Sequence, residues 1–589
     1  MMKSKFISIC LFATFFLPDL LLAGGGISGI VSQQVANQIS RSTSNAISKN
    51  LADRLIIPKL KIKNESGEVK DISVSYDSRL LCLLHDDGSI RVWDLAKGVQ
   101  RPTIFPQGKD FKLLEAVSKS DWVVTGGENG EINVYEALTG KLKHKMLSRH
   151  GDVIALSATN DESKLVAAYE NGSIIVWDLL KFIKLTEIKT AHDDEIRFVL
   201  FDAKDKNIIV AGDGGFIERW NIEKAEKINA VSEDIDDVIG LWTNEVNGQT
   251  FFMDKDGVLQ QFAESNSVLG KEFADDILSM TVNNELSVIA VSTEDKGIKF
   301  FSTKGLKPIG EIKQNIEFYH LKFINQGKQL IAADEKGILH LFDVKNLTQL
   351  LKLISTETGW TVVDNKGRFD SSEKGMDNVS WEAEEDELPI DSFSGTHYEP
   401  GLLASHLEEQ SFINKQPVVV QQGIKLPPEV VITVPDGDKI ALEPFVLSVE
   451  AQGLGGGVDQ VNLYHNGKVV VPEAMVKSSE ETKDKLIKKT VTFKLLPLAG
   501  ENSFKVIATN KMGIEGRSEE VTIDFEGKKQ KSTLHILTVG VNKYRDSRLN
   551  LDYSVADAAE ISNVFKKSQL AVYDDMVHHQ LRDNEATKK

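Results

Sequence analysis

Seven copies of one short pattern constrain this sequence more than any other feature. Each copy has a glycine turn, alternating apolar residues and an aromatic residue: GSIRVWD, GEINVYE, GSIIVWD, GFIERWN, GVLQQFA, GIKFFS and GILHLFD. The aromatic residues recur every 39 to 43 residues; they are Trp93, Tyr135, Trp177, Trp220, Phe262, Phe301 and Phe342. A fixed period of this length indicates a repeat architecture rather than one irregular domain.

The local chemistry of the repeat indicates β-structure. Asp-Gly and Asn-Gly before an alternating run are strong hairpin signals, because both turn residues need positive φ. Alternation places one face of each strand inward. A four-stranded unit cannot bury its own faces, whereas units stacked around a ring can. We therefore predict a mainly β fold with a seven-bladed β-propeller over residues 58–354, each blade having about four strands.

The repeats resemble those of WD-repeat proteins. The period and the dipeptides Trp93-Asp94 and Trp177-Asp178 carry the resemblance. His150 and His192 stand where that family often has a Gly-His dipeptide, and we interpret both as structural hydrogen-bonding residues rather than metal or catalytic groups. The resemblance implies that the propeller binds protein or peptide partners. We also expect LKIK, residues 60–63, to close the ring by pairing with the last blade.

The N-terminus has the order of a secretory signal peptide. Lys3 and Lys5 precede an apolar run from Phe6 to Leu17, and Ala23 precedes three glycines. This pattern predicts cleavage after residue 23 and an exported protein, periplasmic or extracellular, with an uncleaved anchor as the alternative. The run is shorter than the ~20 residues that spanning needs, so we expect no stable membrane span after signal removal. Residues 24–57 have an apolar stripe that predicts an amphipathic helix or a linker.

Charge and cysteine content exclude several functions. The formal net charge is −18, and nucleic-acid binding needs a concentrated basic face, so we expect no nucleic-acid partner. The two cysteines, Cys10 and Cys82, form neither a metal-binding spacing nor a disulfide framework. We predict no metal and no cofactor. Cys82, in LLCLLH, is interpreted as a buried blade residue.

The chain changes character after the repeats. TGWTVVDNKGRFDSS predicts one short β element, and six carboxylates between Glu382 and Asp391 predict a solvated acidic linker, so residues 355–424 are assigned as a linker. Residues 425–525 contain short strands and the hairpin turn Asn466-Gly467. They resemble the immunoglobulin-like β-sandwich domains of bacterial surface proteins. GKKQKS, residues 527–532, is a basic linker.

Residues 533–589 predict a strand, a helix and a second strand, which together begin a parallel α/β sheet. LHILTV is an apolar strand, SVADAAEISNVFKK has helical spacing, and MVHHQLRD is a strand. His578 and His579 are adjacent on that strand, so they point to opposite faces and do not suit one metal ion.

The run LTVGVNKYRDSRLNLDYSVADAAEISNVFKK resembles the first strand, loop and helix of the caspase and metacaspase clan of cysteine endopeptidases. The whole arrangement is similar to bacterial proteins that combine WD repeats and a small β domain with such a peptidase. The family uses a histidine base and a cysteine nucleophile, usually in S-G-H-G and D-x-C settings. Neither motif occurs here. We therefore assign no catalytic residue and expect no peptidase activity from the chain as given.

One residue of the resemblance can be carried over. Asp557, in ADA, matches the metacaspase acidic residue that helps line a pocket for a basic P1 side chain. The alternative is structural, because Ser554 and Asp557 form an S-x-x-D helix-capping signal. True caspases place an arginine six residues earlier, where this chain has Leu551. That departure favours arginine or lysine over aspartate at P1.

Two functions remain open from the sequence. In the first, the chain is an incomplete member of the WD-repeat, caspase-like peptidase family, with a partner-binding propeller and proteolysis only in a longer form. In the second, it is a non-enzymatic exported scaffold with a caspase-fold remnant.

Overall fold

The computed structural model describes residues 55–63, 66–106, 111–193, 195–230, 235–243, 249–262, 271–272, 277–283, 287–408, 420–433, 439–441, 443–471, 474–483, 486–526, 533–543, 550–568 and 575–586. The predicted signal peptide, nearly all of the predicted helix over 24–57, and the basic linker 527–532 lie outside them. The chain divides into two compact units. One is Leu55–Ile424 with Met512–Ile514, and the other contains Lys425–Lys511 and the described residues from Glu515 onward.

The first unit contains seven consecutive antiparallel sheets, here called sheets 1 to 7. A short strand, β1 (Lys59–Ile62), precedes them. The strands of sheets 1 to 3 are β2 (Val69–Val74), β3 (Leu80–His85), β4 (Ile90–Asp94) and β5 (Val99–Gln100); β6 (Phe111–Val117), β7 (Trp122–Gly127), β8 (Glu131–Glu136) and β9 (Leu142–Leu147); β10 (Val153–Ala158), β11 (Lys164–Tyr169), β12 (Ser173–Asp178) and β13 (Ile183–Lys189).

Sheets 4 to 7 continue the same order, with each strand paired to the next in sequence. Their strands are β14 (Ile196–Phe201), β15 (Asn207–Gly212), β16 (Ile217–Asn221) and β17 (Glu226–Ala230); β18 (Val238–Thr243), β19 (Thr250–Asp254), β20 (Val258–Phe262) and β21 (Lys271–Glu272); β22 (Ile277–Asn283), β23 (Val288–Thr293), β24 (Ile298–Ser302) and β25 (Pro308–Ile312); β26 (Phe318–Ile324), β27 (Gln329–Asp334), β28 (Leu339–Asp343) and β29 (Thr348–Ser355).

The repeated aromatic residue lies on the third strand of every sheet, so Trp93 and Trp177 occupy equivalent strands. A glycine precedes this third strand, and at Gly130 two features of the structure require it. Its φ of 73° lies in the left-handed region, and a Cβ there would overlap the carbonyl oxygen of Ser148. The sequence pattern therefore encodes a turn that no other residue fits without strain.

Two β-bulges recur among the sheets. In all seven sheets the first strand shifts register against the second near its start, as between Val69 and Asp71. In five sheets the outer fourth strand has one extra residue beside the repeated aromatic. These residues are Lys143, Leu185, Ile228, Ile309 and Leu350. A bulge bends its strand and re-aims a side chain, so the sheets share a distorted outer edge.

Sheets 1 and 7 are in contact. His320 Nε2 lies 2.8 Å from the carbonyl oxygen of Val69, and the amide of Asn325 donates to Ser78 Oγ at 3.0 Å. One hydrophobic cluster contains Leu83 of sheet 1 and Ile331 of sheet 7. The first and last sheets of the series therefore share a core.

Residues that follow sheet 7 add to it and to this shared core. The new strands are β30 (Trp360–Asp364) and β31 (Phe369–Ser371), which extend sheet 7 to six strands. Two short helices follow, α1 (Ser394–His397) and α2 (Leu402–Leu407), and Leu402 and Leu403 are buried in the cluster that sheets 1 and 7 form. The short β element expected in TGWTVVDNKGRFDSS is therefore present as a hairpin.

The prediction of a solvated acidic linker over residues 355–424 was wrong. Residues 379–389 form a hairpin of β32 (Val379–Ala383) and β33 (Asp386–Pro389). Trp381 and Leu388 are buried, whereas Glu382 and the run Glu384–Glu387 are exposed. The prediction considered only the number of carboxylates and missed the apolar residues between them, which form the buried face of the hairpin.

The expected partner of LKIK was also wrong. β1 pairs antiparallel with β32, with Lys59 opposite Glu382, and not with a strand of sheet 7. Glu387 on β33 forms ion pairs with Lys61 at 2.6 Å and Lys63 at 2.8 Å. The strand that leads into sheet 1 is thus joined to a strand that follows sheet 7 by a backbone ladder, with exposed ion pairs beside it.

The second unit begins with two sheets that pack face to face. One contains β34 (Glu429–Thr433), β36 (Phe445–Gln452), β39 (Met475–Lys483) and β40 (Leu486–Leu495). The other contains β35 (Lys439–Ala441), β37 (Val461–His465), β38 (Lys468–Val469), β41 (Gly500–Thr509), β42 (Glu515–Arg517) and β43 (Val521–Glu526). Leu447 and Phe493 from the first sheet share a core with Phe504 and Phe525 from the second.

The last elements of the second unit form the predicted strand, helix and strand. They are β44 (Thr533–Gly540), α3 (Ser554–Ser568) and β45 (Asp575–Arg582). The two strands are parallel, with Leu537 opposite His579. Ala558 and Ser562 of α3 are buried, so the helix covers one face of the strand pair. Among the described helices, none is long and apolar enough to cross a membrane.

Candidate functional site

Polar side chains on the first strands join neighbouring sheets. Asp71 Oδ2 accepts from the amide of Leu114 at 2.8 Å, and Glu115 Oε1 accepts from the amide of Ala158 at 3.1 Å. A serine, Ser279, accepts in the same way from the amide of Leu321 at 3.1 Å. Each bond crosses from one sheet to the next. These side chains therefore fix how adjacent sheets stack, and the sequence did not single them out, because their strands contain other polar residues such as Lys70 and Lys112.

The two carboxylates of this set have raised pKa values. Burial raises the pKa of Glu115 to about 7, although the Ala158 amide and the Ser73 hydroxyl partly oppose the shift. Burial also raises the pKa of Asp71, against the opposing effects of its bond from Leu114 and the charge of Lys322. Ser73 Oγ donates to Glu115 Oε2 at 3.1 Å. Glu115 can thus hold a proton near neutral pH.

The two histidines of the WD pattern make hydrogen bonds with neighbouring polar groups. His150 Nδ1 lies 3.1 Å from Asn171 Nδ2, and its Nε2 lies 3.2 Å from Glu187 Oε1. His192 Nε2 lies 3.4 Å from Glu218 Oε1, and its ring stacks on Phe216. Both histidines precede a first strand; His150 contacts a turn and the outer strand β13, whereas His192 contacts the start of the third strand β16. These contacts agree with the structural interpretation.

Cys82 lies in the middle of β3 and is completely buried. Burial raises the pKa of its thiol, which removes the thiolate that a nucleophile needs. Its neighbours in the core are apolar and include Leu84, Val92 and Val123. The environment is that of a core residue.

Asp557 lies on the wall of a cleft beside β44. The cleft has a volume of about 620 Å³; its lining residues are Leu537, Thr538, Val539, Leu551, Asp552, Tyr553, Ser554, Asp557, Ala558 and Ile561. The cleft is open, because Leu537, Tyr553 and Ile561 are each more than half exposed. Asp552 and Asp557 are exposed as well, so a positively charged side chain can reach Asp557 from solvent.

Ser554 does not cap the first amides of helix α3 in the way that the sequence predicts. Ser554 is the first helical residue, and its Oγ accepts from the amide of Val541 at 3.2 Å. Asn542 Oδ1 instead accepts from the amide of Val555 at 3.0 Å. The capping group therefore comes from the loop after β44, because Ser554 lies too far into the helix to bind its first amides.

His578 and His579 point to opposite sides of β45, as predicted. His578 Nε2 lies 2.7 Å from Ser562 Oγ and 3.0 Å from Thr538 Oγ1. Ser562 also donates to the carbonyl oxygen of Ala558 at 3.0 Å. This network joins the helix to both strands. Over the described residues, no group of three or more His, Cys, Asp or Glu side chains is placed to hold a metal ion.

Comparison with known families identifies the repeats. The model of the WD domain, G-beta repeat, matches residues 58–94 and 140–178. Each matched segment ends at the third strand of a sheet, just after Trp93 and Trp177. No match was found among curated proteins. The chain therefore contains WD40 repeats, and repeats of this kind usually mediate protein–protein interaction.

Proposed function

We propose that the first unit is a seven-bladed β-propeller that acts as a protein-binding scaffold. All seven sheets have an equivalent strand order, including the four that lie outside the matches to the family model, and this supports seven blades. The contacts between β2 and β26 support a closed ring. The two-sheet module of the second unit is then an immunoglobulin-like sandwich.

The observation that carries this proposal is the pair of WD40 matches, which cover strands of sheets 1, 2 and 3 in a series of seven. A rigid stack of sheets offers turns and outer strands as contact surface, whereas the polar groups described above are engaged in bonds between sheets. Those bonds suit a structural role better than a chemical one. Partner binding is therefore the function that the geometry supports best.

Site-specific photo-crosslinking in the native host tests the scaffold. A photoreactive residue at Glu128, on an exposed turn of sheet 2, is compared with one at Val446, which is 52% exposed on β36. We expect protein adducts from ring positions such as Glu128 and few from Val446. Equal adducts from both positions would contradict a ring-specific scaffold.

We further propose that residues 533–589 are related to caspase-like cysteine endopeptidases and act in proteolysis only within a longer form. The parallel strand–helix–strand order and the cleft with Asp557 support this relation. In such a form Asp557 would bind an arginine or lysine side chain of a substrate. Reading the nucleotide sequence beyond codon 589 tests it: S-G-H-G and D-x-C motifs favour the peptidase, and their absence in all frames favours a non-enzymatic scaffold.

Export is the last part of the proposal. The charged and apolar order of residues 1–23 supports cleavage before Gly24. N-terminal sequencing of the protein purified from its host is expected to begin near Gly24. An intact Met1 in a soluble cytoplasmic fraction would contradict export.

A further inference from the structure

The outer strands of sheets 2 and 3 differ from those of the other sheets. Six large apolar side chains are exposed on these strands and the turns before them: Leu138, Leu142, Leu147, Leu180, Ile183 and Leu185. Lysines alternate with them, so that β9 and β13 together carry four lysines against one glutamate. This charge is opposite to the net charge of −18 of the whole chain.

Sheet 7 shows what such an outer strand can bind. Its fourth strand, β29, pairs antiparallel with β30, from Leu351 opposite Asp364 to Ser355 opposite Trp360. The bulged residue of β29, Leu350, is partly buried against the core that sheets 1 and 7 share. An added extended strand therefore covers the outer edge in one sheet of the series.

The outer strand of sheet 3 is the closest counterpart of β29. β13 has seven residues, more than the outer strand of any other sheet from 1 to 6, and its bulged residue is apolar, Leu185. Leu185 is 45% exposed, and β13 is an edge strand of its sheet among the described residues. Aligning the two bulges places Thr186–Lys189 at the positions that pair with β30 in sheet 7.

The charges around β13 determine which kind of strand can pair with its outer edge. Lys181, Lys184 and Lys189 form ion pairs with nearby acidic residues, as Lys184 does with Glu187 at 2.8 Å. Lys189 also donates to the carbonyl oxygen of Asn171. Exposed pairs of this kind contribute little, so the lysines can exchange partners. Lysines on an edge oppose pairing with a neutral or basic strand, and they favour an acidic one.

We propose that β13 is a docking edge for an extended, acidic segment of a protein partner, which adds to sheet 3 as an antiparallel fifth strand. Backbone hydrogen bonds supply the pairing, Leu185 and Ile183 supply apolar contact, and the lysines select acidic side chains. This inference rests on the proposed scaffold function and names its binding surface and partner chemistry.

The test uses the full chain and a fluorescein-labelled synthetic octapeptide in which valine alternates with glutamate. Binding is measured by fluorescence anisotropy, with a valine–lysine peptide and anionic phosphatidylglycerol vesicles as comparison probes. We expect binding of the acidic peptide, weakening as salt screens the lysines. No binding of it, equal binding of the basic peptide, or binding of vesicles alone overturns the proposal.

Matched variants locate the site. Leu185→Glu places a carboxylate on the bulge of β13 and should weaken peptide binding about tenfold, since it adds repulsion and removes apolar contact. Ile309→Glu makes the same change at the equivalent bulge of β25, which begins with Pro308 and carries Glu311, and should leave binding within about twofold. Equal effects of the two variants contradict a site on β13.

Two further readouts keep the result interpretable. Hydrogen exchange should show protection of amides within Thr186–Lys189 when peptide binds, and unchanged exchange there contradicts strand addition. The double variant Lys184→Glu/Lys189→Glu, on exposed positions, provides a second loss of binding if Leu185→Glu does not fold. Failure of all these tests, with ring-specific crosslinks at Glu128 retained, rejects the docking edge but leaves the scaffold proposal standing.

Discussion

The indole of Trp93 packs edge-on against that of Trp360, with ring centroids 5.5 Å apart and planes at 67°. Trp93 is the repeated aromatic of sheet 1, whereas Trp360 begins the strand added to sheet 7. Arg91, two residues before Trp93, donates to the carbonyl oxygen of Ser355 at 2.5 Å. This pair of tryptophans therefore joins the first repeat to residues that follow the last.

Trp360→Ala should destabilise the first unit by about 3 kcal/mol, because it removes an aromatic contact and leaves a gap in the core that sheets 1 and 7 share. Urea unfolding followed by tryptophan fluorescence or circular dichroism measures the change. Tyr76→Ala, at a side chain that is 60% exposed, is the control and should change stability by less than about 0.5 kcal/mol. Similar values for both variants would show that the Trp93–Trp360 contact contributes nothing.

Two glycine turns make a matched pair. Gly88 and Gly130 both have positive φ, but a Cβ at Gly88 meets nothing within 4 Å, whereas one at Gly130 overlaps a carbonyl oxygen. Gly88→Ala should therefore cost about 1 kcal/mol, the cost of the backbone conformation alone. Gly130→Ala should cost clearly more, about 2–4 kcal/mol, through the added clash. Thermal unfolding of both variants measures the two losses of stability. Equal losses for Gly88→Ala and Gly130→Ala would contradict the steric argument.

The stability of the first unit should depend on pH through Glu115. Its pKa is raised from 4.5 to about 7 on folding, so the folded state binds the proton more tightly. The stabilisation is therefore full below pH 4.5 and is lost as pH rises through about 7. Glu115→Gln can keep both hydrogen bonds without a charge, and its melting temperature relative to wild type should rise between pH 5 and pH 8, by roughly a few degrees.

The exposed carboxylate of Glu128 provides the control for that measurement. Glu128→Gln should give a melting temperature that follows wild type across the same pH range. If the melting temperature of Glu115→Gln stays parallel to that of wild type from pH 5 to pH 8, the carboxyl group of Glu115 is already ionised in the folded protein at pH 5. That result would contradict the raised pKa.

The purified protein should not hydrolyse peptides with arginine, lysine or aspartate at P1, and Cys82→Ser should change nothing. Cys82 is buried in β3, so a thiol reagent such as dithionitrobenzoate should label it only after unfolding. Rapid labelling of the folded protein that Cys82→Ser abolishes, or turnover that this variant abolishes, would overturn the assignment of this cysteine as a core residue.

The parts of the fold that repeat were predictable from sequence, since the glycine turn and the aromatic mark the third strand each time. The parallel order of β44 and β45 also follows from the sequence, because a helical segment separates two short strands. In contrast, the hairpin of β32 and β33 was missed, because its buried Trp381 and Leu388 are separated by a run of exposed acids.

Long-range pairings could not be read from local patterns. The pairing of β1 with β32 joins residues such as Lys59 and Glu382, and no local signal specifies that partner. The cleft around Asp557 could not be predicted from local patterns either, since Leu537 and Ile561 line it together only when the helix has packed on the strand. The resemblance named Asp557, but its surroundings came from the structure.

The continuity of each sheet in sequence has a consequence for folding. Every strand of sheets 1 to 6 pairs with its neighbour along the chain, so each sheet can form from hairpins of low contact order, which close quickly. Joining β1 to β32 instead closes a loop of more than 300 residues, from Lys59 to Glu382. Folding should therefore have a fast phase in which the sheets form independently and a late, slower phase that depends on β32. Partly folded chains in the interval expose the faces that sheets 1 and 7 later share, and this is the stage at which a chaperone would act.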